Sequence, residues 1–490
     1  MTRSVGTGDI PRRRVLAGSA GALLAGCMGR DGGAAPTADD GTPDAASSGA
    51  EYDDETDGSS TSDDERNPEP DPDFTVGSAT WTMAGRDAAN TGYNPDGRGP
   101  PDADGSRWRR DVDGVYTLTS PAVSEAGVYV ASRHSVYGFD PAVGERQWTA
   151  TPVEYTEGSE DAYAAPSGLL THSFSPVVTE EVVVGGAREY EDTRGGVEPG
   201  VLFGLDEETG AEQWVVESHV TTSPTAADGG LFVGETGGDT AAIRRFDPQS
   251  GEETWRTPLA GPGQDPRLLG APAVVDGLLL AAVFDRDLTD AARTELVALD
   301  AASGDRRGTV EFEGAVELPP VVNDGRVFLA TRDGVVHALD VERADGSNAN
   351  GADDDAIEFT AAWTHDTLED VDDAGAVDGS FAFADGTVYV VANATLHALA
   401  ADDGAERWTA TLPYDLDVAM AVGSDAVYVA GSVLIAFGPD DGERLWERRI
   451  GSNGGEFSGP AVAGDALYVA ACLKTERADY IYDNDVRAFY

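Results

Sequence analysis

The chain has 490 residues, 40% of them hydrophobic, enough for a large core once polar tracts are set aside. Its net charge of −56 comes from 89 acidic residues against 33 basic ones, and Lys474 is the one lysine. A surface this negative excludes a nucleic-acid groove, and acids spread along the whole length fit a protein working in multimolar salt, where charge is screened within about 3 Å.

The first segment reads as an address. Arg12-Arg13-Arg14-Val15-Leu16 is followed by the small, apolar run Ala17 to Gly26. A stretch of roughly ten apolar residues is too short to span a bilayer and suits a signal peptide. The arginine pair resembles a twin-arginine export signal, and Leu24-Ala25-Gly26-Cys27 resembles a lipobox whose cysteine receives lipid. Residues 1–27 are therefore expected to be a signal, with Cys27 lipidated, in the style of haloarchaeal exported lipoproteins. From Asp31 to Asp73 the residues are mainly Asp, Glu, Ser, Thr, Gly, Pro and Ala. Such a tract cannot bury enough surface to offset its ordering entropy, so residues 28–77 are expected to be an acidic, disordered tether. The expected location is the outer face of the cell membrane.

From Trp81 onward a unit of about forty residues recurs, the spacing of propeller blades. Its clearest copy runs Ser120-Pro121-Ala122-Val123, Val128-Tyr129-Val130, Val136-Tyr137-Gly138-Phe139-Asp140, then Gly144 and Trp148. Short apolar runs separated by Gly and Asp turns predict a four-stranded antiparallel meander. The third strand sets the register, ending at Asp140, Asp206, Asp247, Asp300, Asp340, Ala400, Gly438 and Tyr490. Two residues earlier stands a small residue: Gly138, Gly204, Ala298, Ala338, Ala398, Ala436 or Ala488, with Arg245 the exception. A small side chain there implies that an indole or a strand lies on the sheet. The turn glycines Gly144, Gly210, Gly251, Gly304, Gly404 and Gly442 follow, then Trp148, Trp214, Trp255, Trp363, Trp408 and Trp446. The Gly304 unit lacks its Trp. The last unit has no fourth strand, whereas Ser106-Arg107-Trp108-Arg109 is a Trp strand with nothing before it. Pairing the two closes a ring: an all-β, eight-bladed propeller over residues 78–490, expected to be a monomer.

This Asp, Gly and Trp pattern resembles the tryptophan-docking repeat of the quinoprotein (PQQ-like) family. The likeness includes the lead-in Trp81 to Asn94, with Asp87, Thr91-Gly92 and Tyr93. The family holds alcohol dehydrogenases and non-catalytic relatives, among them a lipoprotein that helps assemble outer-membrane barrels. The resemblance implies fold more than activity. The enzymes' features are a neighbouring cysteine pair, a calcium-holding Glu, Asn and Asp set, and a cation facing the quinone. None is marked by a motif here, so no catalytic, metal or cofactor residue is assigned. With Cys27 expected to carry lipid, Cys472 has no CxxC or zinc constellation around it and reads as a small buried hydrophobe. His337 and His397 occupy the strand slot of Tyr137 and Phe203, on different blades. Asp285-Arg286-Asp287 and Asp483-Asn484-Asp485 read as solvated acidic loops. Asn393-Ala394-Thr395 is a glycosylation sequon in a predicted turn. Insertions at Glu154 to Ser173, Arg188 to Gly200, Asp285 to Arg293 and Glu342 to Glu358 are where a propeller places its recognition loops. The first of these holds Tyr155, Tyr163, Leu169 and Leu170. The expected function is a lipid-anchored, non-catalytic binding or assembly scaffold for a cell-surface protein or other surface partner. The alternative is an extracellular dehydrogenase of alcohols or sugars using pyrroloquinoline quinone (PQQ) and calcium.

Overall fold

A computed structural model describes residues 74–102, 106–112, 118–132, 135–151, 170–189, 200–237, 240–259, 266–285, 292–343, 355–368, 377, 380–413, 418–449, 455–474 and 482–490. These form eight antiparallel sheets, each laid out from inside to outside in chain order. Blade 1 spans 122–150, blade 2 170–218, blade 3 225–259, blade 4 266–313, blade 5 321–366, blade 6 381–411 and blade 7 419–449. Blade 8 spans 455–489 and takes Ser106–Val112 as its outermost strand. That strand pairs antiparallel with Tyr482–Phe489, placing Trp108 opposite Ala488. The first strands of successive blades touch one another around a closed circuit, blade 8 meeting blade 1. The ring closes as the repeat register requires.

Blade contacts follow from the recurring indole. Trp148 crosses its own sheet over Gly138, where an added Cβ would meet the ring at 2.5 Å. It then stacks on Gly210 of the next blade and donates its indole N–H to the Glu207 carbonyl at 2.9 Å. Gly210 has φ +69°, so it is required both for the turn and for the close approach. The same docking joins Trp108 to Gly144, Trp214 to Gly251, Trp255 to Gly304, Trp363 to Gly404 and Trp408 to Gly442. The repeat aspartates hold the turn that presents the glycine. Asp140 Oδ1 accepts the amides of Ala142 and Val143 at 2.9 Å, and Asp247 and Asp300 do likewise for their own turns. Asp206 accepts both the amide and the hydroxyl of Thr209. These hydrogen bonds hold the carboxyls of Asp206, Asp247 and Asp300 below the usual range.

Two seams depart from this scheme, each for a visible reason. In blade 4 the Trp slot opposite Ala298 is Gly308. Blade 5 has no tight turn for an indole to dock on, because its third strand runs past Asp340 to Arg343 and its fourth starts at Ile357. The Ile357 backbone lies against Gly308 instead, with its carbonyl 2.3 Å from where a Cβ would stand. Asp340, with no turn to hold, accepts from Arg326 Nε at 2.7 Å. At the other seam, blade 8 likewise lacks a third-to-fourth turn, and Trp446 donates to the Pro100 carbonyl at 3.0 Å.

Some expectations change. Residues 170–173, read as part of an insertion, form a strand paired with Val182–Glu189. Extra inner strands also precede the first strands of blades 4 and 8, at Pro266–Arg267 and Gly455–Phe457. Pro176, Pro272 and Pro460 separate the two inner pieces, since a residue without an N–H interrupts the ladder. Asp485 is not on a solvated loop. It lies within the strand Tyr482–Phe489, fully buried, held by Arg487 at 2.5 and 2.8 Å and by Arg109 Nε at 2.7 Å. Cys472 is buried, as its apolar run suggests.

Candidate functional site

The innermost strand of each blade has a neighbour on one side only, so its axis-facing amides need acceptors from elsewhere. The lead-in segment supplies them. Trp81 exchanges two backbone hydrogen bonds with Val123 of blade 1, at 2.8 and 2.6 Å. The carbonyls of Thr82, Ala88, Ala89, Thr91 and Gly92 accept from Val178, Val274, Val322, Phe383 and Val422, in blades 2, 4, 5, 6 and 7. Ala79 and Arg98 bond to Gly464 of blade 8. Blade 3 is reached by apolar packing, with Met83 in the cluster it shares with blade 2 and Ala88 in the one it shares with blade 4. One segment thus laces every blade at one end of the hub.

The lace keeps its shape through side chains that the sequence only partly advertised. Asp87 Oδ1 accepts from the amides of Ala89 and Thr91, and its Oδ2 accepts from the Thr91 hydroxyl at 2.5 Å. Arg86 and Asn90 adopt left-handed φ values of 67° and 56°, which reverse the chain. The buried Asn90 amide donates to the carbonyls of Ala271, Pro272 and Pro320 at 3.3, 3.2 and 3.1 Å. Asn94, also buried, donates to Val462 at 2.8 Å. The Tyr93 hydroxyl donates to Asp385 at 2.8 Å, and burial plus that carboxylate push its pKa up to about 12. Sequence reasoning marked Asp87, Thr91 and Tyr93 but missed Asn90. Its signal, an Asn beside a turn, is too common to stand out.

The lace also distinguishes the two faces. It meets the ring at the first-to-second strand turns, including Asp385 and Gly464. Phe74 and Val76 pack on that side against Gly464, and the Arg107 guanidinium lies between the rings of Phe74 and Tyr490, 3.6 and 4.6 Å from their centroids. The opposite face carries the second-to-third turns and the crossovers between blades. By strand order, the insertions at 154–173, 188–200 and 285–293 leave and rejoin the ring on that opposite face. Of the four insertions only 342–358, between third and fourth strands, leaves and rejoins the ring on the laced side.

The other residues singled out from sequence are dispersed. Cys27 and the twin-arginine segment lie outside the described residues. Asn393 is exposed at the tip of a two-residue turn in blade 6. His337 and His397 sit on third strands of blades 5 and 6, and burial lowers both pKa values. His337 faces the Phe312 ring at 4.9 Å, and His397 Nδ1 is 3.3 Å from Glu406. A feature not legible among so many acids is buried Glu235, which accepts from Arg244 and the Ser218 hydroxyl at 2.5 Å. No three His, Cys, Asp or Glu side chains converge among the described residues, and the indoles of Trp108, Trp148, Trp214, Trp255, Trp363, Trp408 and Trp446 are committed to seams.

Fold and hub define a tryptophan-docked, eight-bladed propeller with one laced face and one loop-bearing face. The chain belongs to the PQQ-like repeat family described as outer membrane protein assembly factor BamB, whose model matches residues 198–291, 239–367 and 355–474. It is similar to the outer membrane protein assembly factor BamB of Yersinia pestis, 23% identical over 74% of this chain and 84% of the relative. The Vibrio cholerae protein of the same name is 26% identical over 46% of this chain, which spans 64% of that relative's length. Among solved structures, the quinohemoprotein alcohol dehydrogenase of Comamonas testosteroni superposes with a TM-score of 0.57 at 16% identity, covering 84% of this chain and 80% of that one. That likeness is one of fold alone.

Proposed function

We propose that this chain is an exported, lipid-anchored propeller that serves as a non-catalytic binding or assembly scaffold at the outer face of the cell membrane. The observation that carries this reading is the division of the two faces: the lace occupies one mouth of the hub, and three of the four insertions open on the other. With Cys27 lipidated, the acidic tract tethers the ring from its laced side; its last residues are not tether, since Phe74 and Val76 pack against Gly464, and the loop-bearing face is left clear of it. A rigid ring presenting long loops on one face suits recognition. The relatives' names favour an assembly role. A salt-adapted, archaeal-style cell has no outer membrane, however, so the partner here is another surface protein or envelope component. The chain acts as a monomer.

Photo-crosslinkers placed on the loop-bearing face and on the laced face test this in intact cells in high salt. A recurrent adduct from the first set only is expected. Deleting residues 154–169, which spares the strand Leu170–Ser173, should weaken it. Dye-linked alcohol oxidation that requires both added PQQ and calcium would instead establish the dehydrogenase reading.

A further inference from the structure

The sequon in blade 6 is not used by the fold-level reading. Asn393 is the only asparagine of the chain with Ser or Thr two residues later. It occupies the first position of the turn joining Thr387–Ala392 to Thr395–Ala400, with φ +48° followed by +55° at Ala394. Its side chain is exposed and makes no hydrogen bond among the described residues, and Thr395 Oγ1 lies 3.4 Å from the Asn393 carbonyl. The turn connects second and third strands, so it projects from the loop-bearing face.

The turn is pinned to the adjoining strand end by the Leu412 amide, which donates to the Ala394 carbonyl at 2.8 Å.

We propose that Asn393 is an N-glycosylation site, its exposed turn offering the side-chain amide to the modifying enzyme from the loop-bearing face. The donor would be an oligosaccharide activated on a lipid-linked phosphate. Asn393 Nδ2 bonds to the anomeric carbon, the bond from that carbon to the phosphate oxygen breaks, and the proton lost from the amide leaves with the phosphate. The inference rests on export, as proposed above.

The test is mass spectrometry of the full chain purified from the envelope of its own cells. The peptide containing Asn393 should carry a mass excess made of sugar residues. Thr395→Ser should keep that excess and Thr395→Ala abolish it, with Asn393 unaltered in both. An unmodified Asn393 peptide from envelope-located protein overturns the proposal. Recovery of the chain only from the cell interior overturns export instead. Should Thr395→Ala fail to fold, the wild-type peptide and Thr395→Ser still decide.

Discussion

Asn90 offers the sharpest test of the lace. Its amide offers two protons to three buried carbonyls at 3.1–3.3 Å, in two different blades. Losing about two net hydrogen bonds costs roughly 2–3 kcal/mol at 1–1.5 kcal/mol each. Asn90→Ala adds about 1 kcal/mol, because φ +56° suits Asn better than Ala, for a total of about 3–4 kcal/mol. Asn90→Gly removes the donor but tolerates the backbone, so the difference between the two variants isolates the φ term. Asn90→Asp has nearly the same shape but turns a donor into a buried anion facing carbonyl oxygens, and should be the worst of the three. Its damage must depend on pH. The folded state raises that carboxyl's pKa, so the penalty is full above the raised folded value, shrinks as pH falls through it, and is gone below the unfolded value near 4. Urea titrations in multimolar KCl, read by near-UV circular dichroism, give the order. If Asn90→Asp matches wild type, or its loss is independent of pH, the lace is not held by this amide.

Three further outcomes follow from the structure. Gly308→Ala should destabilise by about 1–3 kcal/mol, since its Cβ would stand 2.3 Å from the Ile357 carbonyl; an unchanged urea midpoint contradicts the repacked seam. Half-buried His337 and buried His397 have lowered pKa values, so they contribute stability that is full above about pH 6.5 and lost as pH falls through their folded values. His337→Phe should flatten part of that slope in urea midpoints measured across the range. Dialysis to low salt should cost β-sheet signal in far-UV circular dichroism, because 89 acidic residues then repel unscreened; an unchanged spectrum removes the salt-adaptation argument.

The sequence by itself determined the blades. The spacing of Asp140, Gly144 and Trp148, repeated along the chain, is a local code in which a capped turn presents a glycine that an indole must meet. The last unit's missing strand could be matched to Trp108 because a four-stranded sheet leaves a countable vacancy. Other features depend on partners far apart in sequence and needed the tertiary structure. Gly308 reads as a lost Trp, yet the compensation comes from Ile357, placed there by an insertion in the next blade. Asp485 reads as loop acid until Arg109, from the other end of the chain, is laid beside it. The lace was least legible of all, because its hydrogen bonds use backbone carbonyls and axis-facing amides that every residue type carries. Only closing the ring brings those amides to one mouth, and only then do a laced face and a loop-bearing face become distinct.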